Sequence, residues 1–180
     1  MNANAHAAPA NQPAEQAIRA AEFRAACGLF ASGVTIVTRR LPDGSPYGMT
    51  VSSFTSVSLE PPLVLVCIDR NARFLQDLAA EQPFAVNVLR EHQQHLAARF
   101  ADRNEENRFA GIEWTPGWRN VPLVGGVVVT FACALHQRIE SGDHLILVGE
   151  VHDIQRHKGG PLIWCDRGYH HLPGNLGLNP

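Results

Sequence analysis

The pattern of apolar and polar residues changes several times along the chain. Residues 1–13 are mostly Ala, Asn and Pro, with too few large apolar groups to offset the entropy of ordering, so they read as a loose arm. Over 14–30, Ile18, Ala21, Ala25 and Leu29 recur at three- and four-residue intervals and Gly33 follows, which predicts an amphipathic helix. Short β-rich runs come next at 34–40, 47–58 and 63–69, with turn chemistry at Pro42-Asp43-Gly44 and Pro61-Pro62. Two helical patterns interrupt them. One is 72–81, with Phe74, Leu75 and Leu78 on one side; the other is 91–101, with Leu96 and Phe100. Between these two, 84–89 has strand character, whereas 104–126 is irregular and rich in Trp, Pro and Gly. Two long β runs, 127–140 and 144–157, meet at Ser141-Gly142-Asp143 as a hairpin. The run 162–172 predicts a closing strand and 173–180 a tail. About seven strands with few crossover helices argue for a mainly β fold with flanking helices, an antiparallel barrel.

At 180 residues a second independent core would be cramped, so one domain over 14–172 is expected. A formal charge of -2 supplies no cationic footprint for a nucleic-acid backbone. No basic start leads into an apolar run and no stretch has the length of a membrane span, so the expectation is no membrane partner and a cytoplasmic location. Cys27, Cys67, Cys133 and Cys165 are scattered in apolar segments without a Cys-x-x-Cys pair and are expected to be buried reduced thiols. His92 with His95, and His170 with His171, lack a patterned third ligand, so no metal site is expected. Trp114, Trp118 and Trp164 are read as core or interface residues. No Gly-x-Gly-x-x-Gly follows a strand and no P-loop is present, so any nucleotide must be held in another way.

The most unusual stretch runs Gly48-Met49-Thr50-Val51-Ser52-Ser53-Phe54-Thr55-Ser56-Val57-Ser58-Leu59-Glu60-Pro61-Pro62, with six hydroxyl side chains. Such a strand offers small donors and acceptors that permit close approach of a flat polar heterocycle. A Ser/Thr-rich edge strand facing water would look the same.

That stretch, continued by Leu63-Val64-Leu65-Val66-Cys67-Ile68, resembles the signature of the short-chain flavin reductases, the NAD(P)H:flavin oxidoreductase components of two-component monooxygenases. Phe84-Ala85-Val86-Asn87-Val88-Leu89, the surroundings of Phe100 and Arg108-Phe109, and Ser141-Gly142-Asp143-His144 leading to Gly149-Glu150-Val151 agree with it. The resemblance implies an antiparallel split β-barrel, a homodimer, FMN or FAD as cofactor, NADH or NADPH as hydride donor, and a flavin-dependent monooxygenase that receives the reduced flavin. Thr50, Val51, Ser52, Ser53 and Ser56 would line the flavin, with Phe100 and Arg108 also at the cofactor. The segment Asp69-Arg70-Asn71-Ala72-Arg73 would hold its phosphate, and a helix starting at Ala72 would add free N–H groups and a favourable dipole there. His144 and Tyr169 would contact the nicotinamide. No acid or base is required, because hydride transfer depends on positioning. The absence of an arginine cluster for a 2′-phosphate favours NADH. Two further readings remain: a flavin-binding electron carrier or sensor of the same barrel type without nicotinamide turnover, and a barrel without cofactor acting in protein interaction.

Overall fold

The computed structural model describes residues 18–173, so the predicted arm at 1–13 and residues 174–180 of the tail lie outside it. Of the helix predicted over 14–30, residues 14–17 also lie outside the described residues; within the rest α1 spans Ala20–Cys27 and buries none of its residues. Among the described residues its Phe23, and Leu29 and Phe30 just after it, are left 62%, 66% and 81% exposed.

After β1 (Ser32–Gly33) come β2 (Thr35–Arg40), β3 (Pro46–Val51), β4 (Thr55–Leu59), β5 (Pro62–Asp69), β6 (Pro83–Val88), and the long pair β9 (Val129–Ser141) and β10 (His144–Arg156). Short strands β7 (Trp114–Pro116) and β8 (Pro122–Val124) lie within the segment expected to be irregular. The main sheet is antiparallel, in the order β3-β2-β6-β9-β10-β5-β4. The predicted closing strand is instead a hairpin, β11 (Leu162–Cys165) and β12 (Gly168–His171), which pairs with β1 in a separate three-stranded sheet.

The alternation of side chains sorts the core. In β5, Val64, Val66 and Ile68 turn inward while the residues between them are only partly covered. They meet Val37, Phe84, Val86, Cys133, Leu135 and Leu147 inside the curled sheet. Strand β2 is buried on both faces, because Ile36 points the other way, into a second cluster with Leu89, Phe109 and α2 (Gln94–Ala101), which contributes Leu96 and Phe100. Asn87, fully buried, donates to the Ile36 carbonyl at 2.8 Å and accepts from the Val124 N–H at 3.0 Å, so the β8 segment is fixed to the outside of the wall. Gly149 lies where the Phe84 ring crosses β10: a Cβ there would be 2.5 Å from Phe84 Cζ.

Two expectations are corrected. The strand predicted over 47–58 breaks at residues 52–54, where the chain passes from one edge of the sheet to the other. At the break, Ser53 Oγ accepts from the Cys67 N–H at 2.9 Å and donates to the Cys67 carbonyl at 3.1 Å, so a side chain takes the place of a ladder pair. The α-helix predicted over 72–81 is only a 3-10 turn at Arg73–Leu75. Phe74, Leu75 and Leu78 are buried as their spacing suggested, but they enter the barrel core from a loop.

All four cysteines are free. Cys133 matches the expectation of a buried thiol, and burial pushes its pKa up to about 12. Cys27 does not, being exposed on α1, and Cys67 and Cys165 are half-buried. Among the described residues no helix is long and apolar enough to cross a membrane, and no His/Cys/Asp/Glu cluster could hold a metal.

Candidate active site

A cleft of about 470 Å³ opens where β3, the end of β5, the turn after it, the C-terminal end of α2 and the following loop converge. Its size falls in the range of small-molecule sites, about 300–1,000 Å³. Thr50, Asp69, Asn71, Ala72, Arg73, Phe100 and Arg108 line it together, as the sequence suggested. Tyr47, Met49, Ala101 and Arg103 line it as well, with Glu105 and Glu106 at the loop side, and were not singled out.

Tyr47 organises the cationic wall. Its ring lies between two guanidiniums, with Arg73 5.5 Å and Arg108 5.3 Å from the centroid. Arg108 is fixed by four contacts: Nη1 donates to Tyr47 Oη at 3.0 Å and to the Gly48 carbonyl at 2.9 Å, Nη2 donates to the Asp102 carbonyl at 2.6 Å, and the ring of Tyr47 covers it. Its Nε is buried without a hydrogen-bond partner. Thr50 Oγ1 donates to the Ala97 carbonyl at 2.7 Å and so ties β3 to α2. Phe100, 1% exposed, meets Phe109 edge-on at 5.2 Å.

Two N–H groups of the turn at Asp69 are used within the turn. Asp69 Oδ1 accepts from the Asn71 N–H at 2.9 Å, and the Ala72 N–H donates to the Asp69 carbonyl at 2.9 Å. With only a 3-10 turn following, no α-helix dipole is added at Ala72, and the arginine side chains supply the positive charge at this turn. Arg103 approaches Asp69 Oδ2 at 3.4 Å. The Asn71 N–H bond, with weaker pulls from Arg103 and His144, outweighs desolvation and holds the Asp69 carboxyl below its ordinary range.

Other expected residues fall elsewhere. Val51 is buried in the barrel core, so only its backbone is available to a ligand. Ser53 is engaged with Cys67 and Ser56 is exposed on β4 opposite Val64, whereas Ser52 is exposed at the break itself. His144 stands opposite Asp69 in the β10–β5 ladder, which puts both side chains on one face. Its Nδ1 is 2.7 Å from Asp143 Oδ1, and this bond first, then the imidazole charge, lowers the Asp143 pKa. Tyr169 packs against Trp164 at 4.9 Å beside the second core and does not line the cleft, and burial raises its phenol pKa. Trp114 and Trp164 are core residues as expected, while Trp118 is half-buried and stacks on His152 at 4.3 Å.

The lining fits a flavin in its chemistry: an aromatic and thioether surface beside three guanidiniums suits a flat heterocycle with a phosphorylated side chain, and Arg108, one of the three, keeps a buried Nε without a partner.

Comparison with known proteins agrees. The chain is 43% identical over 129 residues to the reductase subunit of a stachydrine N-demethylase of Rhizobium meliloti, covering 72% of this chain and 56% of that protein. It is 44% identical over 147 residues to a probable flavin reductase of the same organism, covering 82% and 47%. The chain thus spans about half the length of these curated relatives. The solved NADH:FAD oxidoreductase of Streptomyces globisporus, in complex with NAD and FAD fragments, superposes with a TM-score of 0.80 at 37% identity, covering 87% of this chain and 94% of that one. The family described as "Flavin reductase like domain" matches residues 27–173, and with the barrel, the cleft and these relatives in agreement, the chain belongs to it.

Proposed function

We propose that the chain transfers a hydride from NADH or NADPH to FMN or FAD and supplies the reduced flavin to a partner flavin-dependent monooxygenase. The observation that carries this reading is the cleft in which Tyr47, Met49, Thr50 and Phe100 adjoin Arg73, Arg103 and Arg108. When bound, the flavin supplies the electron sink that takes the hydride. The chain's own residues bind and orient. Arg73, Arg103 and Arg108 neutralise phosphate, the Asp69–Asn71 turn sets where Arg73 projects, and Thr50, Ser52 and the Val51 and Ser53 backbone border the ring. His144, on the Asp69 face of β10, orients the nicotinamide. A cytoplasmic location, where reduced nicotinamide is at hand, agrees with this activity. Steady-state oxidation of NADH and of NADPH with FMN, FAD and riboflavin offered in turn tests it: flavin-dependent turnover is expected, and none with any pair would refute it.

His144→Ala should raise KM for the nicotinamide donor about threefold to tenfold, the worth of one neutral contact, and leave the flavin dissociation constant unchanged. A thousandfold slower hydride step would give His144 a chemical role that this reading denies.

The chain assembles as a homodimer in this reading, because Phe23 of α1 and the adjoining Leu29 and Phe30, exposed among the described residues, call for a cover. Light scattering at micromolar concentration should give twice the mass of one chain. An active monomer would refute it.

A further inference from the structure

Behind the turn that borders the cleft lies a second basin of about 490 Å³, lined in part by Arg70, Asn71, Ala72 and Arg73 of the segment that the family resemblance gives to the flavin phosphate and in part by residues of β9 and β10 outside that segment. Arg70, Arg73 and Arg138 line it against a single carboxylate, Glu140, over an apolar floor of Leu75 and Leu145. Arg138 comes from β9, remote in sequence from the other two, and so the cluster is visible only in the fold. Its Nη1 donates to the Leu78 carbonyl at 2.9 Å, which sets its direction and leaves Nη2 free for another acceptor. Arg70 Nη2 donates to the Gly142 carbonyl at 2.9 Å and is 3.8 Å from Glu140, so its charge is partly compensated, whereas Arg138 has no ion-pair partner among the described residues.

Asn71, Ala72 and Arg73 line both the basin and the flavin cleft. A ligand with a planar head in the cleft and a phosphorylated tail would cross that turn and place the tail among the arginines. Guanidiniums bind phosphate by paired N–H donors, and an apolar floor accommodates an adenine face. We propose that the basin receives the phosphorylated adenosine half of the nicotinamide donor, and that Arg138 with Arg70 accepts the 2′-phosphate of NADPH. This rests on the reductase reading above and goes beyond it by placing the donor's adenosine half and by naming Arg138 and Arg70 as the residues that receive the 2′-phosphate of NADPH.

The test uses the full chain, Arg138→Met and Arg138→Lys, with Lys158→Met as a control for loss of one exposed charge outside both cavities. Calorimetric titration of flavin-free protein with adenosine 2′,5′-bisphosphate reads the basin without turnover. Arg138→Met should weaken that binding about tenfold or more, as expected for a lost charge-assisted bond, Arg138→Lys should weaken it less, and Lys158→Met should leave it alone. KM for NADPH should rise in parallel, KM for NADH should rise less, and the FMN and FAD dissociation constants should not change. Bisphosphate binding and NADPH kinetics indifferent to Arg138 would overturn the proposal. So would a weakened FAD affinity with FMN unaffected, which would give the basin to the flavin's own adenylate. Absence of any donor oxidation by the unmodified chain would instead refute the reductase reading, and bisphosphate binding would still report on the basin.

Discussion

Gly48→Val is expected to weaken flavin binding about tenfold or more while also lowering stability. Position 48 sits where β3 meets α2, and a Cβ there would lie 2.9 Å from Phe100 Cε1 and 3.1 Å from Thr38 Cγ2. Phe100 cannot retreat, since it is 1% exposed and packed edge-on against Phe109. The strand must then move away from the helix, and two supports of the cleft move with it: the Thr50–Ala97 bond and the Gly48 carbonyl that fixes Arg108. Overpacking of this kind costs about 1–3 kcal/mol. Urea denaturation and a flavin titration on the same variant check both parts. An unchanged denaturation midpoint together with unchanged flavin affinity would show that α2 yields without consequence.

Arg39→Ala should have the largest effect on stability, a loss of about 3–5 kcal/mol. Arg39 is a charged side chain only 2% exposed. Its Nη1 donates to the Phe74 carbonyl and its Nε to the Arg40 carbonyl, both at 3.0 Å. Truncation leaves a large void and strips the Phe74 carbonyl of its donor, and burial of an unpaired carbonyl adds to the cost of the void. Phe74 adjoins Arg73, which lines both cavities, so the flavin dissociation constant should rise even where the variant remains folded. Urea unfolding gives the first quantity and a titration at low denaturant the second. A loss below about 1 kcal/mol would mean that water replaces the guanidinium at little cost.

What the sequence disclosed depended on whether a signal was local. Strand β5 was legible because its alternation is set by one inward and one outward face, and the β9–β10 hairpin was legible because Gly142 adopts φ +60° at the turn. The break at residues 52–54 was not, since Ser and Thr read as strand throughout and the interruption depends on Ser53 bonding Cys67 fourteen residues away. The same bond shows why hydroxyls crowd this stretch: part of them serve the sheet edge and only part border the cleft. The helical spacing of Phe74, Leu75 and Leu78 signalled burial correctly but not a helix. Asp77 and Glu81 take φ of +53° and +62°, and the three apolar side chains reach the core from an irregular path.

Within the cleft, Thr50, Asp69 and Arg73 could be found from the motif and the turn that follows it. Tyr47 could have been suspected from its position on the same strand, two residues before Met49. Arg103 and Arg138 carry no sequence signal of their own, because their neighbours in space are made by α2's end and by β9. A sequence without an arginine cluster can fold into a structure with two.

The central claim, that this cleft brings a flavin and a reduced nicotinamide together for direct hydride transfer, is tested most directly by an anaerobic stopped-flow experiment. The chain saturated with FAD is mixed with NADH, and with NADH deuterated at the transferred position, while the absorption of oxidised flavin is followed. A single rapid bleaching of the flavin is expected, saturating with donor concentration and slowed by the deuterium. Bleaching no faster than in free solution, or insensitive to the isotope and to saturation, would contradict it.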